Sequence, residues 1–295
     1  MSTALVTEPD SAAPPLPRPF LKWAGGKGQL LRQFQPLLPA SYGRYFEPFV
    51  GGAALFFSLQ PERATLTDVN AELVDCYRAV RDSVEDVIGA LGQHTYDEAH
   101  YYRVRDLDPA SLSLSERAAR TIFLNKTGFN GLYRVNSAGR FNVPFGRYVN
   151  PAICNRPQLR ACSAALQGVE LAVRDFERVI DHAEPGDFVY LDPPYSPVSS
   201  TANFTSYSAG GFSFRDQERL AALFAALDKK GVLVMLSNSD VPEIPPLYRK
   251  FRVDRVAALR SINAKSDARG RVGEIVIRNY TTRRSRKAAP ADRAG

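Results

Sequence analysis

The sequence predicts an α/β fold: a doubly wound parallel sheet interrupted by a mostly helical insertion. Three observations point to it. Short apolar runs end in an acid and then a turn, as in "YFEP", "TLTD" and "VYLDPP". Helical patterns follow those runs in series, as strand–helix units do and hairpins do not. Between about Ser83 and Ala165 this grammar stops, and it resumes afterwards.

The chain has 295 residues, 44% of them hydrophobic, enough for one large domain or two smaller ones with a real core. Cys76, Cys154 and Cys162 show no CxxC spacing, which argues against a disulfide framework or a zinc site and fits a reducing cytosol. His94, His100 and His182 are scattered and read as solvated or structural. No apolar run approaches the roughly 18 residues of a membrane span. The opening "MSTALVTEPDSAAPPLPRP" lacks a basic region before an apolar stretch, so it reads as a disordered lead and not a secretory signal. A net charge of +7 permits nucleic-acid binding through phosphate neutralisation. Part of that excess lies in the basic tail "RRSRKAAPADRAG".

Residues 1–17 are the lead. A turn-rich "AGGKG" then enters a helical run from Gln29 to Leu38. "RYFEPFVGGAALFFSL" reads as strand, acid, glycine turn and helix. The next unit has a strand at Ala64–Thr67, Asp68 at its end and a helix with Asn70 near its start. Residues 83–165 form the insertion, with the aromatic, loop-rich core "FLNKTGFNGLYRVNSAGRFNVPFGRY". A loop this long inside a compact protein is functional or disordered, and its aromatic content argues against disorder. Strand grammar resumes with "VELAVRDFERVI" and "GDFVYLDPPY", a helix over Arg215–Lys229, the strand "GVLVMLSNSD" and "VGEIVIRNY" as a late edge strand. The sheet domain is thus discontinuous, 18–82 with 166–281, and 282–295 is a disordered basic tail.

Several constellations carry chemistry. Gly51 and Gly52 follow a strand and an acid, where a sheet admits a nucleoside-like ligand without Cβ clashes. Asp68 ends the following strand, near where an acid grips ribose hydroxyls in dinucleotide folds; its structural alternative is a helix cap. "KWAGGKG" is not a phosphate-binding P-loop, because Leu21 stands where that pattern needs glycine and Gly28 where it needs Ser or Thr. Lys27 in that turn can meet a carboxylate, or it is a solvated surface charge; Trp23 lines the turn or packs in the core. In "DPPY", proline ends the ladder, leaving Asp192 and Tyr195 on a rigid shelf. Asp192 and the carbonyl of Pro193 would accept both N–H groups of a planar amine and free its lone pair. Tyr195 would stack on the base, worth ~1–3 kcal/mol.

In their order, "FLKWAGGK", "FEPFVGG", "LTDVN", "NGLYR…GRFNVPFGRY" and "YLDPPYSP…TANFTSY" resemble the Dam-type DNA adenine-N6 methyltransferases, as does "RSINAKSDARGRVGEIVI". The resemblance spans about Pro19 to Tyr280. It implies a Rossmann-like methyltransferase sheet, S-adenosyl-L-methionine as methyl donor and no metal. Trp23, Lys27, Asp68 and Asp192 match cofactor-binding positions, with Lys27 toward the methionyl carboxylate and Asp68 toward the ribose; Glu47, Gly51, Asp175 and Phe176 would line the same crevice. Asp192, Pro193, Pro194 and Tyr195 would hold a flipped adenine. The insertion would be the target-recognition domain for duplex DNA, reading GATC. Arg134 matches the guanine-reading arginine, and Lys22, Asn130, Leu132 and Pro144 match other DNA-contact positions. Tyr133 is bulkier than a groove-facing loop leads one to expect. A cytoplasmic, nucleoid-associated, monomeric or weakly dimeric enzyme follows, with a cognate restriction endonuclease as a possible partner. The rival readings are methylation of cytosine N4 or of an RNA adenine, and a non-catalytic DNA-binding module. The intact DPPY and cofactor set counts against the last.

Overall fold

The computed structural model describes residues 15–194, 212–259 and 271–282. Seven strands form one sheet: β1 (Tyr45–Glu47), β2 (Ala64–Asp68), β3 (Glu170–Val173), β4 (Phe188–Leu191), β5 (Leu233–Ser239), β6 (Arg252–Leu259) and β7 (Arg271–Arg278). Their order is β3-β2-β1-β4-β5-β7-β6. The first five run parallel, and β7 is antiparallel to both neighbours. This is the Rossmann-like α/β sheet that the sequence predicts.

Each central strand sends alternate side chains to two separate cores, as the pleat requires. Phe188 and Tyr190 of β4 join one core, and Val189 and Leu191 the other. The first core packs against α1 (Leu31–Phe34), α2 (Ala54–Leu59) and α3 (Ala71–Asp82); the second packs against α8 (Phe214–Lys229).

Two sequence expectations are corrected. The helical run from Gln29 to Leu38 is three short pieces, with α1 flanked by 3-10 turns at Lys27–Gln29 and Gln35–Leu37. Pro36 in the last piece lacks the N–H that a continuous helix would need. Strand β7 is not an edge: it lies between β5 and β6, and β6 forms the edge. Antiparallel pairing places it by partners far along the chain, which local pattern does not reveal.

The inserted segment contains α4 (Val84–Leu91), α5 (Glu98–Asp106), α6 (Leu114–Thr127) and α7 (Arg156–Leu166). Ser113 and Glu116 cap the start of α6 reciprocally. Helix α6 is buried along most of its length and packs on both α3 and α4. Its Arg120 is buried yet satisfied, donating to the carbonyls of Val104 and Arg105 at the end of α5, where helix carbonyls lack partners. After α6 the chain folds into a hairpin. Bridges pair Gly128 with Phe145 and Val135 with Phe141, and a turn at Asn136–Arg140 closes the tip.

Candidate active site

The sheet order reverses direction between β1 and β4, and ligands of open α/β sheets bind at the carboxyl ends there. Four acids converge on that end: Glu47 on β1, Asp68 on β2, Asp175 just after β3 and Asp192 just after β4. Strand β4 stops at Leu191, immediately before Asp192-Pro193-Pro194, as the prolines require.

Asp192 is held from two sides. Lys27 Nζ lies 2.6 Å from its Oδ1, and Ser237 Oγ on β5 donates to the same oxygen at 2.8 Å. Tyr190 Oη lies 2.9 Å from Ser237 Oγ, so the network passes into the core. Lys27 is only 3% exposed and also donates to the Gly25 carbonyl at 2.5 Å. It is therefore not a solvated surface charge. Burial raises the Asp192 pKa, and Lys27 holds it down.

Glu47 is buried and accepts a hydrogen bond from Tyr45 Oη at 2.7 Å. Burial, with the charge of Asp192 adding to it, pushes its carboxyl up to about 8. Asp68 accepts from Asn70 N at 3.0 Å and from Gly51 N at 3.4 Å, which fastens the end of β2 to the glycine turn after β1. Burial pushes it up to about 6. The cap of α3 is Asn70, not Asp68. Gly51 has φ +44, and a Cβ there would stand 2.9 Å from Trp23 Cδ1. Glycine is thus required twice, by backbone conformation and by the close indole.

Asp175 caps the following 3-10 turn and pairs with Arg219 at 3.1 Å. Phe176 is buried and stacks on Phe49 at 5.2 Å, with the Arg219 guanidinium over its ring. The cofactor-matching positions Trp23, Lys27, Glu47, Gly51, Asp68, Asp175, Phe176 and Asp192 therefore gather at one end of the sheet. Pro193 is buried and Pro194 half-buried. Tyr195 lies outside the described residues.

The hairpin positions form a second group beside Trp23. Lys22 is exposed, with its ammonium 4.5 Å from the Tyr148 ring. Asn130 adopts a left-handed conformation, Leu132 is half-buried and Pro144 is exposed. Arg134 donates through Nε to Asn142 Oδ1 at 2.7 Å and through Nη2 to the Asn142 carbonyl at 3.1 Å. Asn142 thereby holds one edge of the guanidinium and leaves the other pointing elsewhere.

The D12 class N6 adenine-specific DNA methyltransferase profile matches residues 23–262. The chain belongs to that family. Among similar proteins, the type II methyltransferase M1.LlaDCHI of Lactococcus lactis subsp. cremoris is 46% identical over 271 residues, covering 89% of this chain and 95% of the relative. The type II methyltransferase M.MjaIII of Methanocaldococcus jannaschii is 42% identical over 286 residues, covering 89% and 99%. The DNA adenine methylase of Escherichia coli is 33% identical over 263 residues, covering 88% and 94%. Membership makes this an adenine-specific DNA methyltransferase, which counts against the cytosine and RNA readings. Among the described residues, no helix is long and apolar enough to cross a membrane.

Sequence reading missed several residues that organise this methyltransferase. Asn125 on α6 is buried; it accepts from Lys22 N at 2.7 Å and donates to the carbonyls of Lys22 at 2.7 Å and Gly131 at 2.9 Å. Its only sequence signal is an amide directly after the apolar run "IFL" in "TIFLNKT". Ser237 and Arg219 are likewise missed because each acts through a partner distant in sequence, and Asn142 because its bond to Arg134 forms only when the hairpin closes.

Proposed function

We propose that this enzyme uses S-adenosyl-L-methionine to methylate N6 of an adenine flipped out of duplex DNA, within GATC. The carrying observation is the Asp192–Lys27–Ser237 network at the β1/β4 crevice, directly before two prolines. The residues present suit the nucleoside. A buried cation at Lys27 fits a carboxylate, Asp68 fits ribose hydroxyls, and the Cβ-free turn at Gly51 admits close approach. Once bound, S-adenosyl-L-methionine supplies an electrophilic methyl group on a sulfonium.

The protein's part is placement and proton handling. Asp192 accepts one N6–H and the Pro193 carbonyl accepts the other, so the amine lone pair is drawn out of ring conjugation. The carboxylate then takes up the proton that the methylated nitrogen sheds, and passes it to solvent. Tyr195 stacks on the flipped ring. Flipping is required because N6 cannot be reached inside the stack, and holding the reacting atoms at ~3–3.5 Å carries much of the rate.

We assign residues 83–165 as the target-recognition segment. The Arg134 edge left by Asn142 is suited to bidentate bonding to guanine O6 and N7. Lys22, Asn130, Leu132 and Pro144 position the duplex. The type II designation of two relatives supports a companion endonuclease cutting the same site.

The test is to sequence methylated adenines in DNA from methylation-free cells expressing this chain, beside an Asp192→Ala control. Marks confined to GATC and absent from the control support the proposal. Marks at another sequence remove GATC and reassign the Arg134 hairpin. Marks that persist in the control remove Asp192 from the chemistry.

A further inference from the structure

Tyr133 does not face outward from the hairpin. Its ring stacks on Trp23, with centroids 5.2 Å apart and planes 28° from parallel, and meets Phe141 edge-on at 5.7 Å. Trp23 in turn lies against Gly51, where a Cβ would be 2.9 Å away. The Tyr133 hydroxyl faces the side chain of Asn70, which caps α3 two residues after Asp68; burial pushes the phenol up to about 12, so it stays protonated near neutral pH. One ring thus touches the indole at the nucleoside turn and the helix start behind the ribose-side acid. It also sits between Leu132 and Arg134 in the chain.

We propose that Tyr133 is a positioning residue that couples the nucleoside crevice to the DNA-facing hairpin through Trp23 and Asn70. The inference rests on the cofactor and DNA roles proposed above. A nucleoside in the crevice fixes Trp23 and the start of α3. Both then fix Tyr133 and, with it, the arm carrying Arg134, so cofactor tightens DNA binding, and by linkage DNA tightens cofactor binding equally. Asn125 supplies a separate tie between Lys22 and Gly131 that does not involve the Tyr133 ring. Removing the ring therefore loosens the coupling without detaching the hairpin.

The experiment measures affinity for a fluorescent GATC duplex at one salt concentration, with and without saturating S-adenosyl-L-homocysteine, in wild type, Tyr133→Ala, Tyr133→Leu and Tyr133→Phe. The leucine variant keeps apolar volume should the alanine variant fail to fold. Trp23 is the single tryptophan of the chain, so its emission reports the stack directly. In the wild type, the nucleoside tightens DNA binding about tenfold, and duplex alone shifts Trp23 emission. In the alanine and leucine variants the ratio falls to about one and the duplex-induced shift disappears; phenylalanine retains most of both. A wild type that does not bind the nucleoside overturns the cofactor reading and this inference together. A wild type that binds both ligands without coupling, or variants that keep the full ratio, overturns this inference alone.

Discussion

Lys27 and Asp192 meet at 2.6 Å, although one leaves a glycine-rich turn before the sheet and the other directly follows its fourth strand. Their side chains are only 3% and 19% exposed. Withdrawing two charges from water costs several kcal/mol per ion, so such a pair is a weak source of stability. Its value is placement, because it fixes a cation and a carboxylate at the mouth of one crevice.

Lys27→Met leaves the Asp192 carboxylate buried without its cation. Burial already raises this carboxyl, and losing Lys27 raises it further. The acid limb of kcat/KM against pH therefore moves to higher pH. An acid limb that stays in place would show that Asp192 is not the group titrating there. Asp192→Ala removes the acceptor itself and lowers kcat by about 10²–10⁴.

Glu47 makes stability fall with rising pH. Its folded pKa of about 8 stands above the ordinary 4.5, so between those values the folded chain holds a proton that the unfolded chain has released. Its contribution is fully present below pH 4.5 and is lost as pH rises through about 8. Asp68 acts with the same sign from 3.8 to about 6. Glu47→Gln cannot ionise, so its Tm should vary less than that of wild type between about pH 5 and about pH 9. Calorimetry of the ligand-free protein decides this.

Gly51→Ala places a methyl group against the indole and forces alanine to φ +44. The strained backbone costs about 1–2 kcal/mol in denaturant titrations. Trp23 must shift to admit the methyl, so nucleoside affinity by titration calorimetry falls about tenfold or more, a loss of at least ~1.4 kcal/mol. Affinity equal to wild type would remove Trp23 and Gly51 from the nucleoside site.

Asn142→Ala removes the Oδ1 acceptor of Arg134 Nε and leaves only the backbone carbonyl of residue 142 to hold Nη2. If the proposed role of Arg134 holds, discrimination between GATC and sites with one altered base pair shrinks by up to about 1–3 kcal/mol at the guanine assigned to Arg134. Competition between the two duplexes measures it. Equal discrimination in the variant would show that Arg134 needs no such support.

The parts legible in the sequence are those written in neighbouring residues. Asp192 and its prolines announce where β4 stops, and Gly51 and Asp68 mark two strand ends, because turn chemistry is local. Strand β6 was not seen: "RVDRVAAL" mixes charge into its pattern as an edge strand can. The interior position of β7 and the clamp of Asn125 on Lys22 depend on contacts across the chain, and the Asn142–Arg134 bond on closure of the hairpin; none of these leaves a period behind. Tyr133 is too bulky for a groove-facing loop because it packs inward on Trp23.

The place of β7 between β5 and β6 sets a schedule for biosynthesis. Ribosomes deliver β5 and β6 before β7, so the outer edge of β5 stays bare until residue 278 has emerged. Asn279 then seals the join, accepting from Val234 N at 2.8 Å and donating to the Val232 carbonyl at 2.8 Å. A nascent chain halted short of this point carries a ready template for pairing with other chains. Premature stop codons between β5 and β7 should therefore yield aggregates in place of a smaller working enzyme.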